Sequence, residues 1–229
     1  MTPPAKRRAS GQHHGDLRNA LERAALELVA EAGPHGFGLN EASRRAGVSV
    51  SAPYKHFADR EALLAALAAS GYREQRKRFM AAIASASDPA DQLAGFAAAY
   101  VRFAAEEPAL FDVTFYAGLD KKRHPELAEA GDALLSALMP TALGVVPDEE
   151  GAFDLLLRIA AVAHGLAVFL RQGLFGVAKD AMNTTPERAA RTARAIVSDC
   201  RISGQRAPGQ GSCAGLRATG QVASKPPST

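Results

Sequence analysis

The sequence predicts an all-α protein, with a three-helix unit near the N-terminus and a larger helical domain behind it. Alanine dominates an apolar fraction of 47%, and alanine is the best helix former. Aromatic residues make up only 6% of the chain, so the residue types that favour strands are sparse. Apolar residues recur at intervals of three and four, which places them on one face of a helix.

Charge is distributed unevenly along the chain, although the net charge is only +3. Residues 1–78 contain 13 Lys and Arg against 8 Asp and Glu, whereas residues 79–200 contain 10 against 16. A basic N-terminal third suggests that one end meets a polyanion, although an ordinary solvated surface can have the same balance. Residues 1–15 are predicted to be a disordered basic arm. Residues 201–229, of which 12 are Gly, Pro or Ser, are predicted to be a disordered tail.

We expect neither a signal peptide nor a membrane span in this sequence. Residues 1–15 are polar and basic with no hydrophobic stretch after them, unlike a signal peptide. No apolar run reaches the length of a membrane span. The spacing of Cys200 and Cys213 suits neither a zinc site nor a disulfide framework. We therefore expect a cytoplasmic protein with incidental thiols.

Four helices are expected in the first third of the chain. They run from Asp16 to Gly33, from Leu39 to Ala46, from about Val50 to Phe57, and from about residue 60 to 84. Asp16, Ser49 and Asp59 can each cap the helix that follows, because short side-chain oxygens accept hydrogen bonds from free backbone N–H groups. Gly47 can end the second helix, since glycine accepts a positive φ.

The rest of the chain also reads as helices bounded by proline, glycine or an acidic cap. They run from Asp88 to Pro108, Ala109 to Tyr116, His124 to Pro140, Glu149 to Gln172, and Pro186 to Cys200. Proline is tolerated in a first turn but ends a helix further along. We place an N-terminal domain at residues 16–60 and a C-terminal domain at residues 61–200, linked by the helix of residues 60–84.

The block from Gly33 to Leu64 has the pattern of two short helices joined by a tight turn. Gly47 permits the turn, and Val48 can fill the angle between the helices. This exposes the start of the second helix, the end that enters the major groove in helix-turn-helix proteins. Hydroxyl and apolar groups there can contact bases, and the Tyr, Lys, His and Arg beyond them can contact phosphates. The predicted DNA-binding residues are Arg44, Ser49, Val50, Ser51, Ala52, Tyr54, Lys55, His56 and Arg60.

This block resembles the DNA-binding domain of the TetR family of bacterial regulators. The resemblance rests on Arg-Arg-Ala-Gly-Val-Ser, Ala-Pro-Tyr-Lys-His-Phe and Asp-Arg-Glu-Ala-Leu-Leu, and it covers residues 17–64. Pro53 departs from the leucine of most members, and Gly38 from the usual Ser or Thr cap. The resemblance implies a homodimer on a pseudo-palindromic operator, a C-terminal domain that binds an effector, and usually repression.

The C-terminal domain is more distantly similar to a TetR subgroup named for a Trp-His-Gly motif. Residues 107–111 and 164–166 carry this likeness, although the chain contains no tryptophan. The domain is longer than dimerisation alone requires, so we expect it also to enclose a cavity for an apolar or aromatic effector. The predicted effector-binding residues are Phe96, Tyr100, Phe111, Phe115, His164 and Phe169. Each of them can equally be a core residue.

The helices of residues 149–172 and 186–200 are the predicted dimer interface, where two copies would form a four-helix bundle. The interface residues expected from their apolar character are Leu156, Ile159, Val162, Ala163, Leu166 and Ile196. Tight, specific DNA binding favours such a dimer, because one recognition helix buries little surface.

Other classes of protein have weaker support. The sequence contains no Gly-rich phosphate loop, nucleophile elbow or metal-ligand spacing, so neither an enzyme nor a cofactor is expected. A purely structural module would not need an exposed Ser/Tyr/Lys/His end, although those residues can also be a plain solvated face. Within the regulators, an activator and a DNA-binding dimer without an effector pocket stay open as alternatives to a repressor.

Overall fold

A computed structural model describes residues 10–174 and 180–205 of the chain. Within these residues the regular elements are eight α-helices and two short 3-10 turns, and no strand occurs. The helices are α1 (Ser10–Ala32), α2 (Leu39–Arg45), α3 (Arg60–Ala84), α4 (Pro89–Glu106), α5 (Pro108–Tyr116), α6 (Pro125–Leu143), α7 (Glu149–Arg171) and α8 (Ala181–Gln205). The predicted all-α fold class is confirmed.

The N-terminal unit consists of α1, α2, the 3-10 turn at Pro53–Lys55 and the first half of α3. Its apolar side chains form one core, in which Leu21, Leu28 and Leu63 are at most 2% exposed. Side chains from the C-terminal domain complete this core, namely Val113 and Ala117 at the end of α5 and Leu127 in α6. The unit is therefore packed onto the rest of the molecule and does not hang from a linker.

Helix α3 connects the two halves of the molecule and takes part in both cores. Asp59 caps it, because the carboxylate accepts a hydrogen bond from the backbone N–H of Ala62 at 2.8 Å. Its first half is buried between α1, α5 and α6, and Phe79 in its second half belongs to the C-terminal core. The apolar residues of α3, Leu63, Leu64, Leu67, Tyr72 and Phe79, fit helical spacing only loosely. Burial on several sides explains this pattern.

The C-terminal core is built around α4, which packs against α3, α7 and α8. Asp88 caps α4 by accepting a hydrogen bond from Ala90 N at 2.8 Å, as the sequence predicts. Phe103, Leu155 and Ile159 are at most 1% exposed in this core. The core therefore holds α7 and α8 on one side of α4 and α3 on another.

Four predicted helix ends are wrong. Helix α1 begins at Ser10, so Asp16 lies inside it and part of the predicted arm is helical. Helix α6 continues through Pro140 to Leu143, since a proline near the end disrupts only the last turn. Helix α8 begins before Pro186 and extends to Gln205, into the predicted tail. Residues 1–9 of the arm and 206–229 of the tail, including Cys213, lie outside the described residues.

Helix α7 presents an apolar face to solvent. Phe153 is 47% exposed and Leu157 is 56% exposed, and a methyl group added at Gly165 would meet no atom within 4 Å. Of the predicted interface residues, Leu156 and Ile159 are instead 3% and 1% exposed in the protomer's own core. Ala163 is buried there as well, whereas Val162, Leu166 and Ile196 are half-buried.

The composition of α7 is also compatible with a membrane span. The helix is long and apolar enough to cross a bilayer, and 28% of its most apolar stretch is buried inside the fold. The expectation that no apolar segment reaches this length therefore does not hold for α7. A single helix of this kind is weak support for a membrane protein.

Candidate nucleic-acid interface

Helix α2 is held on α1 by close packing and an ion pair. Ala42 is fully buried, which lets the two helices approach closely. Arg45 donates two hydrogen bonds to Glu31, from Nη1 to Oε1 at 2.7 Å and from Nη2 to Oε2 at 2.8 Å, and this pairing lowers the pKa of Glu31. Both Arg45 and its neighbour Arg44 are exposed, but Arg45 joins α1 to α2 through this ion pair.

The turn after α2 has the geometry that the sequence predicts. Gly47 adopts a φ of +69°, in the left-handed region that favours glycine. Directly after it, the N–H of Val48 donates to the carbonyl of Ser43 at 3.0 Å and brings the chain back over α2. Glycine is therefore needed at this position for its backbone conformation.

The second short helix is not formed as predicted. An α-helix that starts after Ser49 needs residue 53 to donate its N–H to the Ser49 carbonyl, and Pro53 has no N–H. The chain forms tighter bonds instead, from Ala52 N to Ser49 O at 3.0 Å and from His56 N to Pro53 O at 2.8 Å. Only Pro53–Lys55 is helical, as a 3-10 turn, and the side chain of Ser49 contacts Ser51 at 3.3 Å.

Residues 49–55, here called the recognition loop, expose a compact set of mixed side chains. Val50 is 49% exposed and Tyr54 is 58% exposed. Ser49, Ser51 and Lys55 are exposed as well, and Ala52 is half-buried. Pro53 is buried beneath them and anchors the loop to the N-terminal unit. This surface offers hydroxyl groups, an apolar side chain and a cation over a short distance along the chain.

Two predicted phosphate-binding residues, His56 and Arg60, are oriented inward. Arg60 donates to the carbonyl of Pro34, and its guanidinium lies over the ring of Phe37, 5.3 Å from the centroid. His56 is half-buried and lines a groove of about 230 Å³ between the N-terminal unit and α6. Because His56 and Arg60 are close to the recognition loop in sequence, they were expected to face outward with it. The chain turns into α3 between these two residues, and this turn directs both side chains inward.

The junction between the N-terminal unit and the C-terminal domain carries ion pairs that the sequence analysis missed. Glu61 on α3 accepts hydrogen bonds from Arg123 Nη1 at 3.1 Å and His124 Nε2 at 3.0 Å. Arg18 on α1 lies 3.7 Å from Glu126 on α6. The partners of Glu61 are more than 60 residues away in sequence, so no local pattern could identify them.

Most of the predicted effector-binding residues form one packed aromatic cluster. Phe96, Tyr100 and Phe111 are 2%, 7% and 0% exposed. The ring centroids of Phe111 and Phe115 lie 4.9 Å apart, and those of Phe111 and His164 lie 5.4 Å apart. These rings are therefore better described as core residues than as the lining of a cavity. Phe169 differs from them, since it is 47% exposed on α7.

A polar pair lies within the aromatic cluster. The hydroxyl of Tyr100 and Nδ1 of His164 are 2.9 Å apart. Burial raises the pKa of Tyr100, and the nearby Tyr72 and Tyr116 raise it further. Burial also lowers the pKa of His164. Both side chains are therefore neutral at neutral pH.

An open groove lies beside this cluster, between α5 and α7. It has a volume of about 490 Å³ and is lined by Asp112, Tyr116, Val168, Arg171 and Gln172. None of the predicted effector-binding residues is among these five. Among the described residues, no group of three or more His, Cys, Asp or Glu is placed to hold a metal ion.

A short α-helix, a positive-φ turn and a 3-10 turn, followed by a capped long helix, define the N-terminal unit as a helix-turn-helix domain. The family comparisons agree with this class. Residues 22–67 match the model of the bacterial regulatory proteins of the tetR family. Residues 93–193 match the tetracyclin repressor-like C-terminal domain. The chain belongs to the TetR family of transcriptional regulators.

Solved structures share the fold over most of the chain. A Rhodococcus sp. RHA1 protein of unknown function is 28% identical, with a TM-score of 0.65 over 82% of this chain and 98% of its own. A tetR-family regulatory protein from Rhodococcus RHA1 is 19% identical, with a TM-score of 0.62 over 80% and 95%. A TetR-family regulator from Marinobacter aquaeolei VT8 is 20% identical, with a TM-score of 0.62 over 81% and 97%. No curated protein matched the chain.

Proposed function

We propose that this TetR-family regulator is a cytoplasmic, homodimeric repressor that binds a pseudo-palindromic operator and releases it when a small molecule binds. The observation that carries the proposal is the recognition loop. It exposes Val50, Tyr54 and Lys55 together with two serines, on a unit whose core is otherwise closed. Such an exposed and chemically mixed surface suits a DNA groove better than it suits solvent.

The residues of the recognition loop divide by chemistry into base and phosphate contacts. Val50 and Ala52 can contact thymine methyl groups, and the hydroxyls of Ser49 and Ser51 can bond to bases or phosphates. Tyr54 and Lys55 suit phosphate oxygens, and so does Arg44 nearby. The inward positions of His56 and Arg60 favour supporting roles for these two side chains, beneath the loop.

The apolar outer face of α7 supports the homodimer. Phe153 and Leu157 are exposed here, and Ala161 and Gly165 continue the same face at intervals of four residues. Small residues in the middle of a helix face allow a second helix to approach closely. A two-fold axis at this face would bury the exposed side chains of both copies.

Helix α5 provides a physical link between the C-terminal domain and the DNA-binding unit. Phe111 and Phe115 belong to the aromatic cluster, whereas Val113 belongs to the core of the N-terminal unit. At the end of α5, the carbonyl of Tyr116 lies 3.0 Å from Nε2 of His35 in the N-terminal unit. A ligand that displaces α5 would therefore also move the recognition loop. It would shift the equilibrium between DNA-binding and non-binding arrangements of the protein only if it binds one of them more tightly.

Selection of duplexes from a random DNA pool tests the proposal, because such a pool samples every candidate operator sequence. We expect enrichment of two inverted half-sites whose centres are one or more helical turns apart. Wild-type protein should bind the selected duplex far more tightly than a scrambled one of equal length. Enrichment of no sequence, or of a single half-site without symmetry, would contradict specific binding by a dimer.

A further inference from the structure

We propose that the groove between α5 and α7 binds an apolar organic acid whose carboxylate pairs with Arg171. This inference rests on the proposed function, because it names the chemical class of the effector. The groove volume of about 490 Å³ falls within the usual range for small-molecule sites, roughly 300–1,000 Å³. Tyr116 and Val168 supply apolar wall.

Arg171 has hydrogen-bond donors to spare at this site. Nη1 and Nη2 each donate to one oxygen of Asp112, at 2.5 and 2.8 Å, and the guanidinium lies 5.2 Å from the centroid of the Phe111 ring. A guanidinium has five N–H donors, so three remain after the pair with Asp112. These include Nε–H and a neighbouring Nη–H, a two-point edge that matches a carboxylate. An acid can therefore bind without displacing Asp112.

His164 does not line the groove, but it lies one and two turns before the α7 residues that do. It precedes Val168 by four positions and Arg171 by seven, so the three share one helix face. The buried Tyr100 hydroxyl needs an acceptor for its proton, and Nδ1 of His164 lies 2.9 Å away. If Tyr100 donates to Nδ1, the neutral ring carries its own proton on Nε2.

A cationic ligand fits the same groove less well. Both oxygens of Asp112 already accept hydrogen bonds from Arg171, and an added cation would lie near that guanidinium. The side chains of Gln172 and Tyr116 can donate or accept, whereas the free N–H groups of Arg171 can only donate, and these complement an acceptor. Charge and hydrogen bonding thus favour an anion with an apolar body.

Isothermal titration calorimetry on the full chain, without DNA, tests the ligand class. The probes are benzoate, phenylacetate, hexanoate and octanoate, each compared with its primary amide. We expect saturable binding of at least one acid and binding of its amide that is at least about tenfold weaker, because the amide lacks the charge. Equal binding of acid and amide, or no binding of any acid at millimolar concentration, would overturn the proposal.

The double variant Asp112→Asn/Arg171→Gln tests the residues, and it leaves no unpaired charge in the groove. We expect it to lose at least about tenfold in acid affinity, while Arg158→Gln, which removes another α7 arginine paired with Asp199, keeps wild-type affinity. Circular dichroism and the melting temperature without ligand check the fold of both variants. Wild-type affinity in a folded double variant would remove Arg171 from the site. Acid binding by a protein that selects no DNA would refute the proposed function and leave the groove assignment standing.

Discussion

At the residue scale, Lys55 is the simplest probe of the recognition loop. It is exposed and, if it neutralises one phosphate, its loss should weaken binding to all sequences to a similar degree. We expect Lys55→Ala to lower the slope of log K against log salt by about one and to leave the melting temperature unchanged. Fluorescence anisotropy with a labelled duplex across a salt series measures both slope and affinity.

Lys77→Ala is the matched control for Lys55→Ala. Lys77 is also a highly exposed lysine, with 79% of its side chain accessible, but it lies on α3 outside the recognition loop. A similar loss in both variants would indicate a general effect of net charge. An unchanged salt slope for Lys55→Ala would show that this loop does not face the DNA backbone.

His164 should make the stability of the protein depend on pH. Burial lowers the pKa of His164 in the folded state, so below the usual value of about 6.5 the unfolded chain binds more protons than the folded one. Stability should therefore fall as the pH drops through this window. We expect His164→Gln, which can still accept a hydrogen bond from Tyr100, to lose less melting temperature between pH 7.5 and 5 than wild type. Parallel curves for the two proteins would argue against burial of a neutral His164.

At the element scale, the turn between α2 and the recognition loop depends on Gly47. Its φ is +69° and a Cβ there would meet no atom within 4 Å, so the cost of a side chain is conformational and not steric. We expect Gly47→Ala to lower the free energy of unfolding by about 1–2 kcal/mol. Urea denaturation of the variant measures this change.

Gly38→Ala is the control for Gly47→Ala, because it replaces a glycine by alanine at a position where φ is not positive. Gly38 also has open space around it, but its φ of −113° is ordinary for any residue. We expect the free energy of unfolding to change by no more than about 0.5 kcal/mol, since a small capping loss and a gain in chain stiffness oppose each other. Equal destabilisation by the two variants would contradict the assigned role of Gly47.

Helix starts were predictable where the signal is local. Asp59 and Asp88 cap α3 and α4 through neighbouring N–H groups, and a cap depends only on residues that follow closely. The predicted recognition helix was wrong, because the position of one missing N–H, at Pro53, decides between an α-helix and tighter turns. Leu156, Ile159 and Ala163 of the predicted dimer interface are buried in the protomer's own core, since periodicity alone cannot say which apolar residues of a helix face solvent.

Only the exposed part of the candidate site could be located from the sequence. The recognition loop follows from a motif that is continuous in sequence, and it brings Ser49, Val50, Tyr54 and Lys55 to one surface. The groove of Arg171 depends on a partner on α5, 59 positions earlier. Contacts at that separation arise from tertiary packing, which leaves no periodic trace in the sequence.

At the scale of the whole molecule, α7 should decide the oligomeric state. Its outer face exposes Leu157 by 56%, and a two-fold contact would bring two copies of this side chain into the same interface. A buried, unpaired glutamate on each copy would cost far more than the apolar contact it replaces. We expect wild type to sediment as a dimer at micromolar concentration and Leu157→Glu to sediment as a folded monomer in analytical ultracentrifugation.

The same variant should also lose operator affinity, because a single N-terminal unit contacts only one half-site and buries too little surface for tight binding. Leu135→Glu is the matched control, as Leu135 is another exposed leucine, 38% accessible on α6. It should remain dimeric and bind DNA as wild type does.

A dimeric Leu157→Glu protein would exclude the outer face of α7 as the interface, whereas a monomeric wild type would refute the dimer itself. A monomeric variant with wild-type affinity would show that one N-terminal unit suffices for DNA binding.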